Sequence, residues 1–150
     1  MFYLLSPRFS KQVYDDCDTP AKDALIQYLT PRVRYVEKEP HGRYGVDLLV
    51  QYNNGRKVFF ECEKRYSWKV GKFPYDTIHI PSRKQKFLNL EYPTYFASFR
   101  DDLKALIILN SQDIKNQSMV EVSNYRMRSG EEFYNIPLGL AKYVDLSTVV

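Results

Sequence analysis

The sequence YGVDLLVQYNNGRKVFFECEKR, residues 44–65, contains two apolar runs that flank Asn53-Asn54-Gly55. Alternating apolar residues on both sides of an Asn-Gly pair are typical of a β-hairpin. A three-residue loop, with its glycine at a positive φ, pairs Leu48 with Phe60, whereas a two-residue turn sets Leu48 against the carboxylate of Glu61. Because a shift of one residue turns a whole apolar set to the wrong face, the pattern favours the three-residue loop. The same register pairs Val46 with Cys62 and Val50 with Val58.

Three carboxylates belong to the polar face of this hairpin. In the favoured register Asp47 lies directly opposite Glu61, with Glu63 one step along the same face. A loop shifted to Asn54-Gly55-Arg56 places Asp47 opposite Glu63 instead. Like charges that face each other destabilise a ladder, so a bound cation would resolve the conflict, and carboxylate oxygens favour Mg²⁺ or Mn²⁺. In the alternative interpretation the three carboxylates face solvent and pair with Lys57, Arg65 and Lys69.

The rest of the pattern predicts an α/β domain of the α+β type, with a mixed, largely antiparallel central sheet flanked by helices. One helix is predicted over residues 19–29, with Thr19 as its N-cap, Pro20 at its first position and Pro31 after its end. Another is predicted over residues 82–90, where Ser82-x-x-Gln85 matches a capping box. Strands are predicted at residues 33–36, 44–52, 58–65, 77–80, 94–99 and 105–109, and a β-rich or irregular region at 119–127 and 143–150.

The chain of 150 residues has the length and composition of one globular domain. A hydrophobic fraction of 44% and an aromatic fraction of 15% supply a packed core and exclude a disordered chain. The apolar run at residues 1–5 is too short for a signal peptide, and no run is long enough to span a bilayer. A soluble cytoplasmic protein is therefore expected, without membrane contact. Cys17 and Cys62 form neither a disulfide framework nor a zinc pattern.

Positive charge is concentrated in the middle third of the sequence. Lys and Arg outnumber Asp and Glu by 22 to 18 in the whole chain and by 10 to 4 in residues 51–100. Basic residues interleaved with aromatic ones suit a phosphate backbone and its bases, although a solvated basic face that binds no nucleic acid has the same composition. The candidate nucleic-acid-binding residues are Arg65, Lys69, Lys72, Arg83, Lys84 and Lys86, with Trp68 as the candidate for base stacking.

Over residues 19–110, the order of these elements and motifs resembles the core of the PD-(D/E)XK nuclease superfamily. The matching segments are Gly45-Val46-Asp47-Leu48-Leu49 and Val58-Phe59-Phe60-Glu61-Cys62-Glu63-Lys64. The resemblance implies that Asp47 and Glu61 are metal ligands. Glu63 stands where the family has a lysine, and the Glu-x-Glu variant of some restriction endonucleases implies that Glu63 is a general base or a further metal-site carboxylate. Many members also bring an acid from the first helix, for which the candidates are Asp15, Asp16, Asp18 and Asp23.

A basic catalytic residue has three candidates in this sequence. Lys64 is the nearest to the acidic motif, but strand alternation places it on the face opposite Glu63. Arg65 has the same parity as Glu63. Lys84 lies in the first turn of the helix predicted from residue 82, where backbone N–H groups and the helix dipole favour a phosphate.

Together these features predict a divalent-metal-dependent endonuclease that hydrolyses phosphodiester bonds in DNA, or less readily in RNA, with Mg²⁺ or Mn²⁺ as cofactor. Since one small domain leaves no room for separate recognition modules, specificity is expected to come from loops, a homodimer or a partner protein. Two other functions fit the same sequence. A catalytically inactive nuclease-fold protein would bind nucleic acid or assist assembly, and a purely structural protein would use its aromatic residues in a subunit interface.

Overall fold

The computed structural model describes the backbone of residues 11–124 and 127–148, and the side chains of residues 19–121 and 131–147. Its helices and strands are α1 (Lys11–Leu29), β1 (Tyr35–Lys38), β2 (Leu48–Gln51), β3 (Lys57–Arg65), β4 (Thr77–Pro81), β5 (Thr94–Arg100), β6 (Ala105–Asn110), α2 (Ser111–Ile114), β7 (Met119–Asn124), β8 (Met127–Pro137) and β9 (Lys142–Asp145). Short 3₁₀ helices cover Thr30–Arg32, Ser82–Phe87, Leu138–Leu140 and Leu146–Thr148.

The described strands form two sheets. Six strands make the central sheet in the order β1-β2-β3-β5-β6-β9, and three make a smaller sheet in the order β4-β8-β7. In the central sheet β3 and β5 are parallel, and the remaining pairs are antiparallel. Because parallel neighbours need a crossover connection, the chain between them leaves the sheet and forms β4 and the 3₁₀ helix Ser82–Phe87. The prediction of a mixed, largely antiparallel sheet is confirmed.

The two faces of the central sheet are covered by different kinds of element. On one face α1 packs its buried residues Ala21, Leu25 and Leu29 against the sheet. On the other face the smaller sheet supplies Ile78 and Ile136 to a second core cluster. The long helix therefore flanks one face only. The other face is covered by the smaller sheet, together with Phe87 of the 3₁₀ helix Ser82–Phe87 and Ile114 of α2.

The hairpin of β2 and β3 has the predicted three-residue loop. Leu48 pairs with Phe60 and Val50 with Val58, and the Tyr52 N–H donates to the Arg56 carbonyl at 2.8 Å across the loop. Gly55 has φ +91°, a conformation that glycine adopts without the steric penalty of a side chain.

The predicted place of Val46 in this hairpin is wrong. Leu48, Val50, Val58 and Phe60 face α1, whereas Val46 lies in the cluster on the opposite side of the sheet. The predicted strand over residues 44–52 begins only at Leu48, so the alternation of β2 does not extend back to Val46. The predicted strand at residues 33–36 is likewise displaced, since β1 covers Tyr35–Lys38.

The first helix is longer than predicted. It is described from Lys11, and Pro20 lies inside it rather than at its first position. A proline removes one helical N–H donor, and this loss is offset here because the following turns bury Ala21, Leu25 and Leu29 against the sheet. The predicted end before Pro31 is confirmed, since α1 ends at Leu29.

The helix predicted over residues 82–90 is a 3₁₀ helix, Ser82–Phe87, without a capping box. Pro81 precedes it in an extended conformation, and no side chain caps its first turn. Burial of Phe87 and Leu88 in the core fixes the end of this segment, and the tighter turn closes with the Leu88 N–H donating to the Gln85 carbonyl at 3.0 Å.

The predicted strands at 58–65, 77–80, 94–99 and 105–109 correspond to β3, β4, β5 and β6. The predicted β-rich stretches contain β7 and most of β9, whereas β8 lies almost entirely between them and was not predicted. Residues 125–126 and 149–150 lie outside the described residues. Among the described residues, no helix is both long enough and apolar enough to cross a membrane.

Candidate functional site

Asp47 and Glu61 lie side by side where β2 and β3 begin to pair. The Asp47 N–H donates to Oε1 of Glu61 at 2.9 Å, and the Cys62 N–H donates to Oδ2 of Asp47 at 2.9 Å. Each carboxylate thus accepts a hydrogen bond from a backbone N–H of the opposite segment of the hairpin. The two hydrogen bonds continue the pairing to the residue just before β2. The predicted juxtaposition of Asp47 and Glu61 is confirmed.

Glu61 is the most deeply placed charge of this site. Its side chain is 7% exposed, and its Oε2 accepts a hydrogen bond from Nζ of Lys84 at 2.8 Å. Burial, and then the negative charge of Asp47, raise the pKa of Glu61 to about 7, although the ammonium of Lys84 opposes both effects. Glu61 therefore carries a costly charge near neutral pH, and the neighbouring carboxylate adds to the cost.

Lys84 remains positively charged beside this carboxylate. Burial lowers its pKa, but the attraction and hydrogen bond of Glu61 outweigh burial, so the pKa of Lys84 is raised above its ordinary value. The 3₁₀ helix Ser82–Phe87 positions this lysine, since its buried Phe87 anchors the segment against the central sheet. Of the three candidate basic residues, Lys84 is the one that contacts Glu61, whereas Arg65 contacts Glu63.

Lys22 is a component of the site that the sequence analysis missed. It is buried on α1, and its Nζ lies 3.4 Å from Oδ1 of Asp47 and 3.5 Å from Oε2 of Glu39. Its spacing from Leu25 and Leu29 places it within the apolar stripe of α1, and a lysine in such a stripe indicates a buried partner. The candidates predicted on and before this helix were all acidic. Among them Asp23 is exposed, and the side chains of Asp15, Asp16 and Asp18 lie outside the described residues.

Glu63 shares a face with Glu61 but has its own partners. Its Oε2 accepts a hydrogen bond from Oγ of Ser98 at 3.0 Å and lies 2.7 Å from Nη2 of Arg65. Over the described side chains, no three His, Cys, Asp or Glu residues are arranged as a group that could hold a metal ion. The structure thus brings together two of the three predicted carboxylates. A cavity of about 20 Å³, enough for one water molecule, is lined by both Glu61 and Glu63.

Asp47 and Glu61 lie in an open cleft of about 490 Å³. One wall is the loop between β1 and β2, which contributes Arg43 and Tyr44, and the other is the 3₁₀ helix Ser82–Phe87. Four cationic side chains and two carboxylates line this cleft, which makes it suitable for a polyanion. The cationic residues are Arg43, Arg83, Lys84 and Lys86.

Several predicted site residues lie elsewhere. Trp68 is fully buried, packs edge-on against Phe73 and donates its Nε1–H to the Gly71 carbonyl at 3.0 Å, so its predicted role in base stacking is wrong. Lys64 and Lys69 contact Asp101 at 3.7 and 2.9 Å instead of the cleft carboxylates.

Arg65 also lies outside the cleft lining, since it pairs with Glu63 and donates to the His79 carbonyl at 3.1 Å. Lys72 is exposed and does not line the cleft. In the alternative interpretation the carboxylates pair with Lys57, Arg65 and Lys69. The structure contains one of these contacts, between Arg65 and Glu63, whereas Lys69 pairs with Asp101.

The donor set of the cleft fits a hard divalent cation. Mg²⁺ is commonly held by one or two carboxylates together with water and substrate phosphates, and Asp47 and Glu61 supply two adjacent carboxylates in an open cleft.

The amino-acid sequence matches no model of a known protein family, and a comparison with proteins of established function finds no significant match.

Proposed function

We propose that this protein is a divalent-metal-dependent nuclease that hydrolyses phosphodiester bonds in DNA. The observation that carries the proposal is the position of Glu61, a buried carboxylate held between Asp47 and Lys84 at one end of a cleft lined by cations. Two carboxylates kept together at an electrostatic cost are typical of a site that a cation completes.

Asp47 and Glu61 are the residues that would hold Mg²⁺ or Mn²⁺. The ion would supply a positive charge for the phosphate and lower the pKa of a bound water. Lys22 contacts Asp47 from α1, with its Nζ 3.4 Å from Oδ1, and so links this carboxylate to the helix that packs on the sheet.

Lys84 is proposed to bind the phosphate and to offset negative charge in the transition state. Its ammonium already lies 2.8 Å from Glu61, at the border between that carboxylate and the cleft. A lysine fixed in this position supports the proposal because the Glu-x-Glu motif has no lysine of its own on the same face of β3. The role of Glu63 in orienting the attacking water remains a prediction.

The proposal is tested by incubating the protein with plasmid and single-stranded DNA in Mg²⁺, Mn²⁺ or EDTA. Asp47→Asn and Glu61→Gln keep an oxygen that accepts the backbone N–H and remove the charge, so the fold is expected to persist while cleavage is lost. Glu91→Gln is the matched control, because Glu91 is exposed and contacts His41. Cleavage that persists in both cleft variants, or no cleavage by the unaltered protein with any metal, contradicts the proposal.

One observation favours a second candidate, a nucleic-acid-binding protein without catalysis. Both oxygens of Glu61 already accept hydrogen bonds, from the Asp47 N–H and from Lys84, which is also expected of a site that has lost its metal. Such a protein would bind DNA with an affinity that depends on salt but is indifferent to Mg²⁺ and to the Asp47→Asn change.

A further inference from the structure

One wall of the cleft carries an aromatic ring with no part in the proposed metal chemistry. Tyr44 lines the cleft together with Asp47 and Glu61 and is 79% exposed, the highest value among the exposed large hydrophobic residues of the described chain. Tyrosine combines a flat apolar face with a polar tip, and such rings are common where a protein contacts a partner.

The loop between β1 and β2 fixes the backbone that presents this ring. Gly45 donates its N–H to the Gly42 carbonyl at 3.2 Å, and Nζ of Lys86 donates to the Tyr44 carbonyl at 3.4 Å. A Cβ at Gly45 would lie 2.7 Å from the Cβ of His41, so the close path of this loop needs glycine. The backbone that carries the ring is thus held beside the cleft in the absence of a ligand.

Two cationic side chains, Arg43 and Lys86, lie close to Tyr44. The guanidinium carbon of Arg43 is 5.7 Å from the ring centroid of Tyr44. Among the described residues Arg83 pairs with Glu131 and Lys84 with Glu61, whereas neither Arg43 nor Lys86 forms an ion pair. An exposed aromatic ring with two such cations beside it suits a nucleic-acid strand, in which bases and phosphates alternate.

We propose that the substrate is single-stranded DNA, with one base stacked on Tyr44 and the adjacent phosphates bound by Arg43 and Lys86. This inference rests on the proposed function, because it assigns the substrate of that same site. In a duplex each base is stacked and paired, so a ring in the cleft reaches a base only after the base is extruded at a free-energy cost. The cleft of about 490 Å³ has the size of a small-ligand pocket, which suits a single base on Tyr44.

Binding is measured first, by fluorescence anisotropy in EDTA so that no strand is cleaved. Labelled oligothymidine and a hairpin duplex are compared for the unaltered protein, Tyr44→Ala and Tyr44→Phe. Tyr44→Ala is expected to weaken single-strand binding by about 5- to 150-fold, the loss of one base–aromatic stack, and to leave duplex binding nearly unchanged. Tyr44→Phe keeps the stacking face and is expected to retain the affinity. Tyr75→Ala is the matched control, because Tyr75 is 52% exposed and does not line the cleft.

An abasic nucleotide, moved stepwise along the single strand, locates the stacked base. At one position its effect and the effect of Tyr44→Ala are expected to be non-additive, since both remove the same contact. Equal single-strand affinity of Tyr44→Ala and the unaltered protein overturns the inference, as does tighter binding of the duplex.

Cleavage assays with Mg²⁺ and Mn²⁺ separate this inference from the proposed function. Asp47-dependent cleavage of both substrates at rates indifferent to Tyr44 overturns the single-strand assignment and keeps the nuclease. Tyr44-dependent single-strand binding without any cleavage overturns the nuclease and keeps the single-strand surface.

Discussion

Two clusters of lysines and carboxylates lie near β3, and they differ in what surrounds them. In the cleft, Glu61 is 7% exposed and lies between the carboxylate of Asp47 and the ammonium of Lys84. On the surface, Asp101 accepts a hydrogen bond from Lys69 at 2.9 Å, and that lysine is 63% exposed.

The pKa values of the two carboxylates are therefore shifted in opposite directions. The hydrogen bond from Lys69 lowers the pKa of Asp101, whereas burial and the charge of Asp47 raise the pKa of Glu61. A solvated carboxylate paired with a lysine keeps its charge at little cost, whereas a buried carboxylate beside another one loses the stabilisation that water gives to its charge. This contrast, and not the presence of a lysine near an acid, distinguishes the candidate site from an ordinary ion pair.

Removing the lysine of each cluster is expected to separate them most strongly. Lys84→Met should lower DNA cleavage by about 10²- to 10³-fold, because it removes a fixed positive charge from the transition state. Lys69→Met should leave the rate within about twofold, as for a surface substitution away from the site. Initial rates of cleavage with saturating Mg²⁺ test both. An equal loss of the cleavage rate in the two variants would show that Lys84 has no special role and would contradict its assignment as the catalytic lysine.

The pH dependence of stability is expected to have opposite signs for Glu61 and Asp101. Glu61 has a pKa of about 7 in the folded protein against an ordinary value of 4.5, so the folded state binds more protons between these values. In EDTA its contribution to the free energy of unfolding should therefore fall as pH rises from 4.5 to 7, by at most about 3 kcal/mol. Asp101, with its lowered pKa, contributes stability above its ordinary pKa, and this contribution is lost at acid pH.

Urea denaturation as a function of pH, with Glu61→Gln and Asp101→Asn, checks this difference. Glu61→Gln should remove the fall in stability between pH 4.5 and 7, although Asp47, Lys84 and Glu63 keep their own charges nearby. A profile that is identical in the variant and in the unaltered protein would show that Glu61 is ionised throughout this range.

Lys22 is expected to give a smaller effect, on stability rather than on the reaction. It is 8% exposed and contacts Asp47, so Lys22→Met removes a partner from a half-buried carboxylate. The free energy of unfolding should decrease by about 1–3 kcal/mol, the cost of a buried polar group left with fewer partners. Urea denaturation at neutral pH measures it, and an unchanged midpoint would mean that solvent replaces the lysine.

The smallest effect is expected for the surface cluster itself. Lys69→Met should change the Tm by no more than about 2 °C, because an exposed ion pair contributes little after screening and side-chain entropy. Differential scanning calorimetry checks this value, and a larger decrease would mean that the contact with Asp101 has a structural role.

The sequence was sufficient to predict the hairpin and its acidic pair. The alternation of Leu48 and Val50, Gly55 at a positive φ and the exclusion of carboxylates from the apolar face rule out the two-residue turn, and of the two three-residue loops that remained, the structure has the one that brings Asp47 to Glu61. These constraints are local, and each of them is visible within 22 residues of sequence.

The rest of the site depends on contacts between distant segments. Lys22 reaches Asp47 only because α1 packs across the sheet, and Tyr44 reaches the cleft because the chain turns before β2 begins. Trp68 lies in a basic segment that suggested nucleic-acid contact. Its ring is instead buried against Phe73, because burial of a large aromatic side chain stabilises the core. Composition alone therefore does not identify a contact surface, because the fold decides which of these side chains stay accessible.

Binding of Mn²⁺ by the purified protein, followed by isothermal titration calorimetry, tests the carboxylate pair most directly. We expect binding that is lost in Asp47→Asn and Glu61→Gln, retained in Asp101→Asn, and weakened by about tenfold per pH unit below pH 7, where a proton competes for Glu61. Binding that is equal in all four proteins, or absent in the unaltered protein at pH 8, would contradict a metal site at Asp47 and Glu61.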